Sequence, residues 1–600
     1  MATLKTIRNS LLALLLLLAA GQAAFVPTSV FFTQPDTGRH FVKASADFWK
    51  NYIDADSGGF YNNVDFEGNV FSTMKNMSPQ SRLGYVFTRA FMVTGDTNYL
   101  TLAEHAVQFL YDHAWDNLST QGGWNYSSFR GGYTGSSTSR WSYMQHYALL
   151  GPMALFEASG GQRFARPGAT NHWDWIQKGV TFNNTYLWDP TTSREGYYQY
   201  YSLTSGGSGK GFTATVDAIT THAEELALIT GESPYRQRLV RLGDAMAKHM
   251  VPAIDSPGVA LGMPEEFNTN WSINRANTYA MVGHTVKTVW CLGRVNLVRP
   301  DTLYLKAAEK TFNHLWSQGF IDSENGGPYY EFTWSLPTFA ANKKNYWMLE
   351  QGYNAGIMLS YLTKVDSIRD HALRMAEGSI NFFFNHFAQS NGSAIMATDA
   401  TGSIMVDDNV GDEWDAGYHA TEFAWLNYLY GSLLYKRSPV TLYYRFNSST
   451  TAQQIHLTPI MLTGDSLAII SVKKGTQTFA NFNAQTRTIS LAANEGGVFQ
   501  VTFGYSSSGS AIQKADPKPN FSASYHQGSR LLQIDLPRSE ILNIRSVDAT
   551  GKTLAVWAKQ GFNAGIHPLA VPASLPPGLS WVIVASQSHR MVLPVFLANP

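Results

Sequence analysis

What most restricts the fold of this chain is a repeat: an apolar helix ends at a short turn containing Gly or Asp, and an amphipathic helix follows. Copies are legible at FMVTGDTNYLTLAEHAVQFLYDHAW, LALITGESPYRQRLVRLGDAMAKHMV, LVRPDTLYLKAAEKTFNHLW and YLTKVDSIRDHALRMAEGSINFFFNHF. In the first copy Leu100, Ala103, Ala106, Val107, Leu110 and Ala114 make one apolar stripe at three-to-four spacing, with Thr101, Glu104 and Asp112 elsewhere around the helix. The spacing predicts helical hairpins with one buried and one wet face. The first helix of each hairpin differs, being apolar nearly all round but polar or aromatic near its start. These starts carry Gln80 and Arg82, Tyr143 and Gln145, His222, His284, Glu350, and His419. Six starts at intervals of about 60 to 80 residues imply six inner helices in a closed ring. If all begin at one end, their polar residues converge on a central pocket and the second helices form an outer layer.

Composition narrows the partner. A chain of 600 residues with 44% hydrophobic content exceeds one small domain. Lys plus Arg and Asp plus Glu number 44 each, without a basic run, so the electrostatic footprint of a nucleic-acid binder is missing and an uncharged partner is expected. Aromatics at 13% suit clefts where rings pack on sugar faces, although large cores use them too. The one cysteine, Cys291, excludes an intramolecular disulfide framework and a multi-cysteine zinc site; its context TVKTVWCLGRV reads as buried helix. At the N-terminus, Lys5 and Arg8 precede a leucine-rich run and small residues around Ala23 and Ala24, the pattern of an export signal over residues 1–24. The run is short for a membrane span, so the mature chain is expected outside the membrane, secreted or at the cell surface.

The helical region, roughly residues 40 to 436, resembles the N-acylglucosamine 2-epimerase and cellobiose 2-epimerase superfamily. The residues that carry the likeness are GGFYNNVDFEGNVF leading to Lys75, Gln80 and Arg82, and the GGWNYS turn with Trp124. With them go TTH at His222 followed by Glu225, GH at His284, YWMLEQ with Trp347 and Glu350, and Trp414, Tyr418 and His419. The resemblance implies an (α/α)6 barrel over residues 25–436 that interconverts sugars at the carbon beside the reducing-end carbonyl. It implies His284 and His419 as acid/base groups, Arg82 and His222 in support, and Trp347 and Trp414 shaping the sugar pocket. Glu350, Glu225, Gln145, Tyr143, Lys287 and Trp124 complete the expected substrate-binding set. The chemistry asks for these types: removing a proton alpha to an aldehyde needs a base with pKa near ambient, and imidazole has it. Inversion needs a second proton donor on the opposite face of a cis-enediol, whereas isomerisation to a ketose reprotonates the neighbouring carbon. An always-charged arginine such as Arg82 can stabilise the enediolate without metal or cofactor, and none of either is expected.

Two positions depart from the family pattern. Lys287 stands three after His284 where sugar epimerases carry an acid, and Ala218 stands four before His222 where they carry asparagine. A lysine cannot accept a histidine N–H, so either His284 is oriented differently or Lys287 contacts substrate. The other histidines considered, His105, His113, His249 and His386, fall on or near second helices and read as outer-layer residues.

Other motifs carry less. SGGSGKG at Ser205–Gly211 lacks the leading Gly and trailing Ser or Thr of a phosphate loop, and DADSGG at Asp54 starts like a calcium loop but has Asp65 at position twelve, so both read as turns or loops. The acidic stretch DDNVGDEWD, with Glu265 and Glu266, leaves open a cation or hydrolase carboxylate. A secreted (α/α)6 glycoside hydrolase or lyase with Glu350 and Asp415 as its pair is the main alternative, and a non-catalytic sugar-binding protein the third. Beyond the helices, VTLYYRF, QQIHLTPIML, SLAIISV and RTISLAA predict a small β-module over 437–505; SSSGSAIQKADPKPN reads as a linker over 506–520. Residues 521–600 form a second β-module whose LPPGLSWVIV strand resembles bacterial secretion-sorting modules, which implies the secretion machinery as a partner besides the sugar or oligosaccharide substrate.

Overall fold

The computed structural model describes residues 24–128, 138–405, 409–462, 467–505, 521–526, 530–536, 539–547, 553–572, 574–575, 578–586 and 590–597. The export-signal segment, except Ala24, and the linker 506–520 lie outside the described residues. Among the described residues no helix is long and apolar enough to cross a membrane.

The helical region pairs its helices as the repeat predicts. After α1 (Asp36–Trp49) come α2 (Met77–Thr94) and α3 (Asn98–Phe109), then the broken helix α4 (Ser142–Tyr147) and α5 (Leu150–Ala158) with α6 (His172–Phe182). Helices α7 (Phe212–Ala218) and α8 (Glu224–Thr230) run on through a wider turn at Ile219–Ala223 and pair with α9 (Ser233–Ala245). Then follow α10 (Val282–Val298) with α11 (Thr302–Ser317), α12 (Tyr346–Leu362) with α13 (Asp366–Phe382), and α14 (Tyr418–Leu426), which continues to Lys436. In the α2–α3 turn Gly95 takes a left-handed conformation (φ 78°) that returns its N–H to Phe91, the helix stop that TGD signals. In α3 the predicted stripe of Leu100, Ala103, Ala106 and Val107 is buried, whereas all of α2 from Met77 to Val93 is buried.

The inner helices form a ring. Helix α2 packs on α4 and α5, α4 on α7, α7 on α10, α10 on α12, α12 on α14, and α14 returns to α2, while α1 covers α14 from outside. The strand leading into each inner helix pairs antiparallel with a strand from the neighbouring repeat. Lys75–Asn76 pairs with Ser127–Ser128, Ser139–Trp141 with Tyr200–Ser202, and Lys210–Gly211 with Glu266–Phe267. Tyr279–Met281 pairs with Glu331–Thr333, Lys343–Asn345 with Ala397–Asp399, and Asn409–Gly411 with Asn63–Asp65. This chain of short ladders places all the inner-helix N-termini at one end. Several ladders carry a buried cation that reaches back to an Asp-Gly turn. Lys75 binds Asp54 at 2.8 Å, Arg140 binds Asp116 at 2.5 Å, and Lys344 binds Asp322 at 2.8 Å. The DADSGG segment is thereby a turn, with Asp54 also accepting from the backbone of Asp56 and Ser57.

Beyond Lys436 the regular elements among the described residues are all strands. Val440–Phe446, Gly497–Tyr505 and Leu467–Lys474 form one sheet and Gln453–His456, Thr488–Leu491 and Phe482–Asn483 another, with their apolar faces joined to the helical core. The strands from Ser522 to Leu597 form a second pair of sheets around a separate core of Phe521, Leu532, Ile534, Leu542, Val582 and neighbours.

Candidate active site

At the ring end that gathers the helix N-termini lies a cavity of about 440 Å³. Its floor and walls include Arg82 from α2, Tyr143 and Tyr147 from α4, Asp217 from α7, His284 and Lys287 from α10, Trp347 from α12, and His419 from α14. The ladders and loops add Trp141, Tyr200, Glu265, Glu266, Asp412, Trp414 and Asp415. Residues in the first turn or two of an inner helix can face this space, which is why the polar starts converge.

Two imidazoles meet the cavity, His284 at 17% side-chain exposure and His419 at 10%, and the Trp347 ring lies beside both, 5.1 and 5.9 Å away between centroids. Each ring has a carboxylate at Nδ1. His419 Nδ1 is 2.6 Å from Glu350 Oε2, and Glu350 is held by Gln351 (2.8 Å) and Asn354 (3.3 Å). His284 Nδ1 is 2.8 Å from Glu265 Oε2, close enough for an ion pair but not aligned as a hydrogen bond, while Glu265 Oε1 accepts from the Met281 N–H. Burial, followed by the charges of Arg82, Lys287 and His284, holds His419 well below the usual histidine range. Glu350 is pushed up by burial and by Glu422, with which it shares a hydrogen bond. Glu350, His419 and Glu422 form the one cluster of metal-ligand type among the described residues, and these hydrogen bonds account for its closeness.

Two cations sit deeper. Arg82 donates to the Trp414 carbonyl and, at 3.0 Å, to the Tyr143 hydroxyl, and lies 4.2 Å over the Tyr147 ring. Lys287 is buried and bound to Asp217 at 2.7 Å, with the Tyr147 hydroxyl at 3.4 Å. Burial opposes the Lys287 charge, but Asp217 and Tyr147 outweigh it and keep its pKa well above the usual lysine value. The departure from the family pattern is thus resolved locally: Lys287 finds its acid on the facing helix, and Glu265, from a loop, supplies the carboxylate at His284.

Of the residues expected from sequence, Arg82, Tyr143, His284, Lys287, Trp347, Trp414 and His419 line the cavity. Glu350 stands behind His419, with no exposed surface. His222, Glu225, Gln145 and Trp124 are not brought to it. His222 lies five residues after Asp217, about 140° around the helix, and stacks on His146 at 5.2 Å. Glu225, about two turns further down, binds Arg89 at 2.7 Å at the far end of the ring. Gln145 clamps the backbone of Trp124, accepting at 2.7 Å and donating at 2.8 Å, as Gln80 clamps Phe60, so Gln145 and Trp124 are braces of the repeat. The Glu350 and Asp415 pair does not flank a substrate position. Glu350 is behind a histidine, and Asp415 caps α14 through Ala416 and Tyr418 and accepts from Tyr346. Missed from sequence were Asp217, Tyr147 and Tyr200; the first two lie at inner-helix starts, a signal that was available, whereas Tyr200 reaches the site only through its ladder.

A sequence profile of the N-acylglucosamine 2-epimerase family matches residues 59–422, more than half of the chain. The chain belongs to this family. No curated protein sequence matches it. Among solved structures, this family member is similar to a D-mannose isomerase at 17% identity and TM-score 0.57, over 67% of this chain and 100% of that one. It is also similar to the cellobiose 2-epimerase of Spirochaeta thermophila DSM 6192 (18%, TM-score 0.55, 68% of this chain, 99% of that). A third is the cellobiose 2-epimerase of Bacillus thermoamylovorans B4167 (16%, TM-score 0.54, 65% and 98%). These likenesses concern the fold, and each leaves about a third of this chain unmatched.

Proposed function

We propose that the protein is a carbohydrate epimerase or aldose–ketose isomerase, acting at C2 of a reducing-end aldose on an (α/α)6 barrel. The observation that carries this reading is the pair of imidazoles on one cavity, each backed by a carboxylate at Nδ1. With Nδ1–H of His419 directed to Glu350, Nε2 keeps its lone pair, and the depressed pKa keeps the ring neutral and ready to accept a proton. One imidazole takes the C2 proton of the open-chain sugar, and the electron pair moves to the carbonyl oxygen to give the cis-enediolate. The other imidazole returns a proton to the opposite face of C2 for epimerisation, or the enediolate is protonated at C1 to give the ketose. Arg82 is the fixed cation for the developing oxygen charge, whereas the Lys287 charge is matched by Asp217. Trp347, beside both rings, supplies a flat wall for the sugar.

Proton NMR in D₂O with cellobiose, mannose, glucose and N-acetylglucosamine tests the reading. Deuterium entering at C2 is expected, and His284→Ala or His419→Ala lowers the rate by about 10²- to 10⁴-fold. New reducing ends without exchange would overturn it in favour of hydrolysis. The leucine-rich N-terminal segment and the LPPGLSWVIV strand support export to the medium or cell surface, with the last β-module as the sorting element. Fractionation of cells expressing chains with and without residues 521–600 checks that part.

A further inference from the structure

The two imidazoles are held by different means. At His419 the contact from Nδ1 to Glu350 is an aligned hydrogen bond of 2.6 Å, and its ring neighbours Trp347, Tyr418 and Tyr346 all stand at an angle to it, at 36°, 56° and 87°. At His284 the Glu265 carboxylate is 2.8 Å from Nδ1 but out of line for a hydrogen bond, so it fixes where Nδ1 sits and leaves the tilt of the ring free. That tilt is soft by itself, because the χ2 torsion of histidine has broad wells. What sets it is Phe212, the first residue of α7, whose ring stacks on His284 with centroids 3.9 Å apart and planes at 22°. Phe212 is buried and lines the cavity. One ladder delivers both contacts. Lys210–Gly211 pairs with Glu266–Phe267, and the Phe212 N–H donates to the Glu265 carbonyl at 2.9 Å. The residue that stacks on His284 and the residue whose carboxylate meets it are thus joined through the backbone. Two glycines permit the fit: a Cβ on Gly211 would lie 2.7 Å from the Glu265 carbonyl oxygen, and one on Gly283 would lie 2.5 Å from the Trp347 ring beside His284.

From this closed set of contacts we propose that Phe212 is a positioning residue that, through the tilt of His284, decides which carbon of the enediolate is protonated and so which product forms. The inference rests on the epimerase reading and deepens it. With His284 as donor, protonation at C2 lets the C1 carbonyl re-form and gives the epimer. Protonation at C1 gives the ketose, as the C2 hydroxyl passes its proton to O1 and the C2 carbonyl forms. The two carbons are bonded neighbours, so the imidazole must be aimed and not only near. Misplacement of a reacting group by about 1 Å can cost about a hundredfold in rate. A ring held flat against Phe212 delivers its proton to one carbon, whereas a ring free to rock about χ2 reaches both.

With the sugar that exchanges fastest at C2, the epimer-to-ketose ratio, kcat and KM are measured for the full chain and its variants. Phe212→Leu keeps apolar bulk but removes the flat face; it is expected to shift the ratio by about tenfold toward the minor product, with kcat lowered and KM less affected. Phe212→Met should do the same and serves if the leucine variant does not fold. Phe312→Leu, which trims an equally buried ring on the outer helix α11, controls for lost packing: it should lower Tm and leave the ratio unchanged. A merely structural role for Phe212 would look like that control. A ratio that stays at the wild-type value in the Phe212 variants, with C2 exchange established, overturns this inference but not the epimerase reading. Failure of every sugar to exchange overturns that reading, and this inference with it.

Discussion

At the scale of single residues, the positions that depart from the family pattern are the most instructive. Burial, then the charges of Arg82 and Lys287, disfavours the protonated form of His419, so the acid limb of kcat/KM assigned to His419 falls well below the ordinary histidine range. Removing a neighbouring positive charge favours the imidazolium, which raises the pKa. The double substitution Lys287→Met with Asp217→Asn, which removes the buried pair without leaving either charge alone, is expected to move the acid limb upward while burial and Arg82 keep it below the ordinary histidine range. A pH–rate profile checks it. Glu265→Gln should lower kcat at least about tenfold with KM less affected, because His284 loses the carboxylate that meets its Nδ1. A structural role for Glu265 would show instead as a lower Tm at unchanged kcat. His284, His419, Arg82 and Trp347 were legible from motif and helix position together. His222 and Glu225 were misplaced because a motif gives sequence distance, whereas helix rotation and rise decide which side chain reaches a pocket.

At the scale of elements, the ring depends on close helix contact and on the ladders. A Cβ added to Gly356 in α12 would lie 2.4 Å from the Ala372 carbonyl oxygen of α13, so Gly356→Ala forces the pair apart. A loss of about 1 to 3 kcal/mol is expected, seen in denaturant unfolding. Lys344→Met would take the cation from Asp322, which keeps the donors of Glu324 and Asn325, and cost up to about 3 kcal/mol, measured the same way. The hairpins were legible because outer helices show a clean stripe. The ladders were not, since strands of two or three residues carry too little periodicity to be read, and so Gln145 and Trp124, which brace them, resembled site residues.

At the scale of the molecule, protonation ties stability to pH. Burial pushes His146 down to about 3 and His172 to about 4. In the unfolded chain both titrate near pH 6.5, so between pH 6.5 and 4 the unfolded state binds protons that the folded state refuses. Each contributes a loss of up to about 1.4 kcal/mol per pH unit as the solution is acidified, and His146→Phe should flatten the fall of Tm over that window. The first β-module shares its core with the helical ring: Thr441 N–H donates to the Tyr428 hydroxyl, and Tyr443 packs at Gly95. Removing residues 437–600 therefore exposes apolar surface and should cause aggregation. Removing 521–600, whose core is largely its own, should leave sugar turnover intact.

The sequence by itself determined the helical hairpins and the β-character of the C-terminal strands, which follow from local periodicity, and it set His284 and His419 at inner-helix starts, whereas their pairing as acid and base rested on the family resemblance. Only the tertiary structure decided which carboxylate meets which histidine, that Lys287 is neutralised by Asp217 of the neighbouring inner helix, and that the cavity adjoins a groove past Tyr200. Those are contacts between elements far apart in the chain, and they depend on helix rotation and ladder register, which no local pattern encodes.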